Sequence, residues 1–99
     1  MKHSVYRNPK LLALARGQAC VMCDAQDDTI VSAHSNLLEH GKGKGLKSHD
    51  GMVSWLCYRC HTKLDQGKDM TREQRRDYTL EAICKTYMRM WDFDLLKVK

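Results

Sequence analysis

Two cysteine pairs of identical spacing, Cys20-Val-Met-Cys23 and Cys57-Tyr-Arg-Cys60, constrain this 99-residue sequence more than any other feature. Two residues between ligands let a tight turn aim both sulfurs at one ion about 2.3 Å away. Two such knuckles complete a tetrahedral four-cysteine site, the usual closed geometry of structural zinc. Disulfides are the competing reading, but they belong to oxidising compartments, and the run from Met1 to Pro9 has no apolar core like that of a signal peptide. A thioredoxin-like redox pair would want a βαβ setting that the pattern does not offer. Zinc also suits the length. A chain this short forms one domain, read here as residues 1–99, and its own apolar burial gives only marginal stability. The fifth cysteine, Cys84, stands inside a helical pattern and reads as a small buried hydrophobe.

Thirty-three residues separate Cys23 from Cys57, more than the roughly 15–20 of a compact zinc ribbon. That interval therefore carries a task of its own. Before it, Asn8-Pro9 opens a helix that Gly17 closes, with Asn8 as N-cap and Pro9 at its first position. After the first knuckle and a polar turn, Thr29–His34 reads as a strand. A loop over about 35–50 holds Gly41-Lys-Gly-Lys-Gly-Leu-Lys47, and Met52–Leu56 forms a second strand entering the second knuckle. From Cys60 a helix runs to Gln66 and stops at Gly67. Thr71-Arg-Glu-Gln74 is a capping box, opening a helix over about 71–92 whose apolar stripe is Leu80, Ile83, Tyr87, Met90 and Trp91. The tail Leu95–Lys99 offers a last short strand. The fold class is α+β, with a core motif over about 18–67 between an N-terminal helix and a long C-terminal one.

Knuckle, strand, loop, strand, knuckle, helix is the order of a treble-clef zinc finger, and its strand–strand–helix portion resembles the ββα-metal unit of HNH nucleases. His34 ends the first strand and His61 follows the last knuckle cysteine. More closely, Arg7-Asn-Pro-Lys-Leu-Leu, Ala15-Arg-Gly-Gln-Ala-Cys20, Ala33-His34, Gly43-Lys-Gly-Leu-Lys-Ser-His-Asp50 and Cys57-Tyr-Arg-Cys-His-Thr-Lys-Leu-Asp65 resemble the YbcO-like family of small phage and prophage proteins, regarded as HNH-like nucleases. The resemblance implies a metal-dependent endonuclease hydrolysing DNA phosphodiester bonds. Its catalytic set would be His34, Asp50 and His61. Zinc would sit on Cys20, Cys23, Cys57 and Cys60, and a second divalent ion (Mg2+, Mn2+, Ni2+ or Zn2+) would sit on His61 and Asp50. Two positions depart from the wider HNH pattern: Ala33 stands where Asp or His usually binds the catalytic metal, and Met52 where an Asn is usual.

The chemistry of these residues is coherent. A neutral imidazole at His34 can take a proton from water near physiological pH. Asp50 is the nearest group to bind metal or orient that ring. Asn36 and His49 are weaker candidates for the same role, and Asp65, four residues after His61, shares its helix face and can orient it. His3 and His40 read as exposed and idle. The net charge of +5 permits an anionic partner without requiring one. Its sharpest local expression is the glycine-spaced loop, mobile and basic, whose Lys42, Lys44 and Lys47 would grip DNA phosphates together with Arg59 and Lys63. That loop falls short of a phosphate-cradling P-loop because Leu46 replaces the second glycine. Arg72, Arg75 and Arg76 read as a solvated helix face.

Other functions compete with the enzyme: a non-catalytic zinc-finger nucleic-acid binder, and an interaction module for a phage or host protein. A homodimer is open to any of them. A zinc deaminase is disfavoured, since Ser35 and Asn36 follow His34 where a His-x-Glu would be needed. No apolar run approaches the about 20 residues of a membrane span, so a cytosolic chain is expected.

Overall fold

A computed structural model describes residues 5–99, so the expectation for His3 lies outside the described residues. Asn8 caps helix α1 (Pro9–Ala13), its side-chain oxygen accepting the Leu11 N–H at 3.1 Å. The helix is shorter than the sequence pattern suggests. Beyond Ala13 the N–H groups of Leu14, Ala15 and Arg16 reach back only three residues, and Gly17 turns the chain with φ 78°. These tighter turns carry Ala15 into the core, where it is 2% exposed.

Strands β1 (Val31–His34) and β2 (Val53–Leu56) pair antiparallel, Val31 opposite Leu56 and His34 opposite Val53. Thr29 is expected in β1 but is held locally: its N–H and hydroxyl both reach Asp27 Oδ1, and its oxygen accepts the Tyr58 N–H at 2.9 Å. Met52 similarly leaves β2, its N–H turning back to the His49 carbonyl. All four residues of β2 are buried. Its other edge is covered twice, by the Val21 N–H donating to the Trp55 carbonyl at 3.0 Å and by Thr86 Oγ1 accepting the Trp55 N–H at 3.0 Å. The first bond pins the first knuckle beside the strand that leads to the second.

Helix α2 (Tyr58–Gln66) begins two residues earlier than expected, because the His61 N–H already reaches the Cys57 carbonyl. It ends at Gly67, where a Cβ would run into the Lys63 carbonyl. Helix α3 (Arg72–Asp92) starts on the expected capping box, with Thr71 and Gln74 exchanging side chain-to-backbone bonds of 3.0 and 2.9 Å. Its core face is not the expected stripe. Ile83 and Met90 are buried, but Thr79, Ala82 and Thr86 complete the face, while Leu80 and Tyr87 flank it and Trp91 is half exposed. The reason is steric: α3 lies against β2, whose Trp55 and Leu56 are large and fully buried, so close approach requires small side chains opposite them. Cys84 consequently lies on the outer face of α3, exposed, and is not the core residue expected.

No final strand forms. Asp94 adopts φ 60° and the Leu95 N–H returns to the Met90 carbonyl, which closes α3 and tucks Leu95 and Leu96 against the core. The 35–50 segment carries local structure of its own. It contains a 3₁₀ turn (Leu38–His40), and Gly43 and Leu46 exchange backbone bonds of 3.2 and 3.0 Å around a turn where Gly45 has φ 68°.

Candidate functional site

The fold brings Cys20, Cys23, Cys57 and Cys60 together, all four sulfurs within 4.8 Å of one another. A tetrahedron with zinc–sulfur bonds of about 2.3 Å has edges of roughly 3.8 Å, and Cys23 and Cys57 Sγ stand 3.6 Å apart. All five cysteines are free thiols. Electrostatics also favour a cation. Burial works against the Cys20 thiolate, but the backbone N–H groups of Cys57, Met22 and Cys23 outweigh it and bring the thiol down to about 7. Cys60 moves the other way, pushed up to about 12 by burial and by the sulfurs around it, despite the Tyr78 hydroxyl. Sulfurs this close cannot all ionise alone, and a dication removes that conflict. The donor set fits structural zinc. Tyr78, whose own hydroxyl is raised by burial and by Cys60, is a neighbour that no sequence pattern signals.

At the opposite end of the hairpin, His34 Nε2 lies 2.7 Å from Asp50 Oδ1. Asp50 is 2% exposed and its oxygens are fully engaged. Oδ1 also accepts from Arg7 Nη1 at 3.0 Å, and Oδ2 accepts the Asn8 N–H at 2.6 Å. Burial raises the Asp50 carboxyl, yet the bonds from His34, Asn8 and Arg7 overcome it and hold the group below the usual carboxylate range. The side chain is therefore an anion at neutral pH, and Nε2 of His34 is the donor. Among the described residues His34 Nδ1 meets no hydrogen-bond partner.

Helix α2 folds back along the hairpin. His61 Nε2 stands 3.0 Å from Asp65 Oδ2, and the other Asp65 oxygen accepts from Asn36 Nδ2 at 2.8 Å, two residues past His34. His61 and Asp65 are each about one-third exposed. Among the described residues the four cysteines are the only group of three or more metal-ligating side chains this close, so His34, Asp50 and His61 do not form a second such cluster.

His49 is set apart from His34. It stacks on Tyr6 with ring centroids 4.6 Å apart, and its Nδ1 accepts the Gly51 N–H at 2.8 Å. A side chain at Gly51 would make the His49 ring shift, since its Cβ would come within 2.8 Å of the imidazole. His40 is not idle: half-buried, its Nδ1 lies 2.7 Å from Ser35 Oγ. Lys44, Lys47, Arg59 and Lys63 are exposed and Lys42 half-buried. Nor are all the α3 arginines free. Arg75 donates to the Leu64 and Gly67 carbonyls, tying α3 to the end of α2, and Arg76 pairs with Glu39. The sequence also gave no sign of Arg7 at the Asp50 carboxylate.

Residues 9–94 match the model of a family described as "Putative nuclease YbcO". The chain belongs to the YbcO family. The YbcO match covers all four cysteines, His34, Asp50, His61 and Asp65, and starts just after Arg7 and Asn8. Neither the curated proteins nor the solved structures gave a match. Among the described residues no helix is long and apolar enough to cross a membrane.

Proposed function

We propose that this YbcO-family chain is a metal-dependent endonuclease of HNH type that hydrolyses DNA phosphodiester bonds, its hairpin and α2 forming the ββα unit of a treble-clef zinc finger. The half-buried His34 against the buried Asp50 carboxylate carries this reading. An ionised carboxylate on Nε2 fixes the ring and its tautomer, which leaves the lone pair of the neutral imidazole on Nδ1. Nδ1 takes a proton from water as the water oxygen attacks phosphorus. The P–O3′ bond breaks, and the leaving 3′ oxygen is protonated from solvent. Asp50 acts as the orienting group, since both its oxygens are already committed.

His61, with Asp65 orienting its ring, is the residue to hold a divalent ion (Mg2+, Mn2+, Ni2+ or Zn2+), which would supply positive charge at the scissile phosphate. Its partial exposure suits a site completed by water and phosphate. Lys42, Lys44, Lys47, Arg59 and Lys63 are the phosphate contacts.

His34→Ala is expected to keep one zinc per chain and the native circular dichroism while losing cleavage of plasmid DNA in Mg2+, Mn2+, Ni2+ or Zn2+. Undiminished cleavage by that variant rejects the assignment. A second reading, a zinc finger that binds nucleic acid without cutting it, is favoured by Ala33 and Met52. Ala33 is 4% exposed within the core, and Met52 lines an open apolar cavity of about 400 Å³ with Val5, Tyr6 and His49, so neither supplies a metal ligand. It predicts salt-sensitive DNA retention by the wild-type protein and no cleavage with any of these ions.

A further inference from the structure

The residues around His34 are drawn from three distant parts of the chain, and one side chain joins two of them. Arg7 Nη1 donates to Asp50 Oδ1 at 3.0 Å and to the Ser48 carbonyl at 2.6 Å, while Nη2 donates to the Lys47 carbonyl at 2.8 Å. The backbone on either side of it closes the same carboxylate: the Asn8 N–H reaches Oδ2, and the Tyr6 carbonyl accepts the Asp50 N–H at 3.0 Å. A guanidinium is suited to this task because its donors form a rigid planar fork and its charge is permanent. Three bonds at two backbone carbonyls and one carboxylate oxygen fix where Asp50 sits and which way its carboxylate plane faces.

We propose that Arg7 is a positioning residue for His34: by clamping the Asp50 carboxylate to the end of the basic loop, it sets the ring orientation and tautomer that leave Nδ1 free to act as base. The proposal rests on the nuclease reading above for its kinetic consequence, but not for its structural one. Asp50 is buried and has three donors besides its own backbone. Loss of Arg7 removes the permanent charge among them. The carboxylate then rotates or gains a proton, and His34 loses the partner that holds Nε2–H. A ring displaced by even an ångström is a poor base for a water placed by the substrate. Arg7 also has a competing explanation. Its side chain is 40% exposed and close to Lys47, so it could instead be one more phosphate contact.

The two explanations separate in the kinetics and in the ring itself. The full zinc-loaded chain is compared with Arg7→Ala and Arg7→Gln, the latter keeping a polar N–H donor on a shorter, uncharged stem. Two measurements are made: steady-state cleavage of a DNA duplex, and the 15N chemical shifts of the His34 imidazole at neutral pH. A positioning role lowers kcat about tenfold or more with KM nearly unchanged. It also moves the His34 nitrogen shifts from one dominant Nε2–H tautomer toward the averaged pattern of a mixture. Raised KM with unchanged kcat and unaltered His34 shifts makes Arg7 a phosphate contact and overturns the proposal. Wild-type behaviour in both measurements overturns it too. If Arg7→Ala loses its zinc or its fold, Arg7→Gln decides by the same two criteria. Should the wild-type protein cut no DNA with any divalent ion, the nuclease reading fails by itself. The nitrogen shifts then still decide whether Arg7 sets the state of His34.

Discussion

At the residue scale, Asp50 shows how a buried charge is made tolerable. An unpaired carboxylate at 2% exposure would be protonated, but His34, the Asn8 N–H and Arg7 each favour the anion. The pH consequence follows from the direction of that shift. With its folded value below its unfolded one, Asp50 contributes stability at any pH above about 4 and loses that contribution as pH falls through the folded value. Asp50→Asn should therefore be less stable than wild type at pH 7, with the gap narrowing as pH falls through the folded value. Urea unfolding of both zinc-loaded proteins at pH 7 and at the lowest pH at which each still holds its zinc checks this, and a gap that widens in acid contradicts it. The candidate site was half legible at this scale. Asp50 stood out as the nearest group able to serve His34, and Asp65 as a partner for His61 from its spacing of four. Arg7 was not, because 43 residues separate it from the carboxylate it holds and no local pattern links them.

At the scale of elements, polar bonds do what the apolar pattern alone does not. Thr86 is fully buried on α3, yet its hydroxyl both donates to the Ala82 carbonyl at 2.8 Å and accepts the Trp55 N–H at 3.0 Å. It is the connection between the longest helix and the buried strand. Thr86→Val keeps the shape and leaves the Trp55 N–H without a partner in the core, which should cost about 1–3 kcal/mol. Thermal unfolding of the zinc-loaded variant measures it; a loss below a few tenths would mean that water replaces the hydroxyl. The caps were readable in advance, Asn8 for α1 and the Thr71–Gln74 box for α3, because a cap is a contact among neighbours in sequence. The face that α3 buries was not. A helix of this composition offers two plausible faces, and the bulk of Trp55 and Leu56 chooses the one lined by Thr79, Ala82 and Thr86.

For the whole molecule, the four-sulfur cluster is the point where the first knuckle, β2 and α2 meet. Binding a structural ion there is coupled to folding, since the unfolded chain has no preformed site. Removing zinc with a strong chelator should unfold most of the chain, moving the emission of the buried Trp55 to the red while that of the half-exposed Trp91 changes little. The thiols report the same event. In the zinc-loaded protein only Cys84 should react quickly with an aromatic disulfide reagent, one thiol per chain, and Cys84→Ser should abolish that fast phase. After chelation the other four should react as well. Several fast thiols before chelation would show that the cysteines do not hold a metal.

The amino-acid sequence by itself determined the four sulfurs, the two strands, the capped helices and the two histidines, because each is written in spacings of a few residues. Spacing of that kind fixes local geometry and ligand type. Only the tertiary structure decided which face of α3 is buried, that Cys84 points outward, that the basic loop closes on a tight turn, and that Arg7 meets Asp50. Those outcomes depend on side-chain volume and on bonds between segments tens of residues apart, where the chain's path, not its local pattern, sets which groups meet.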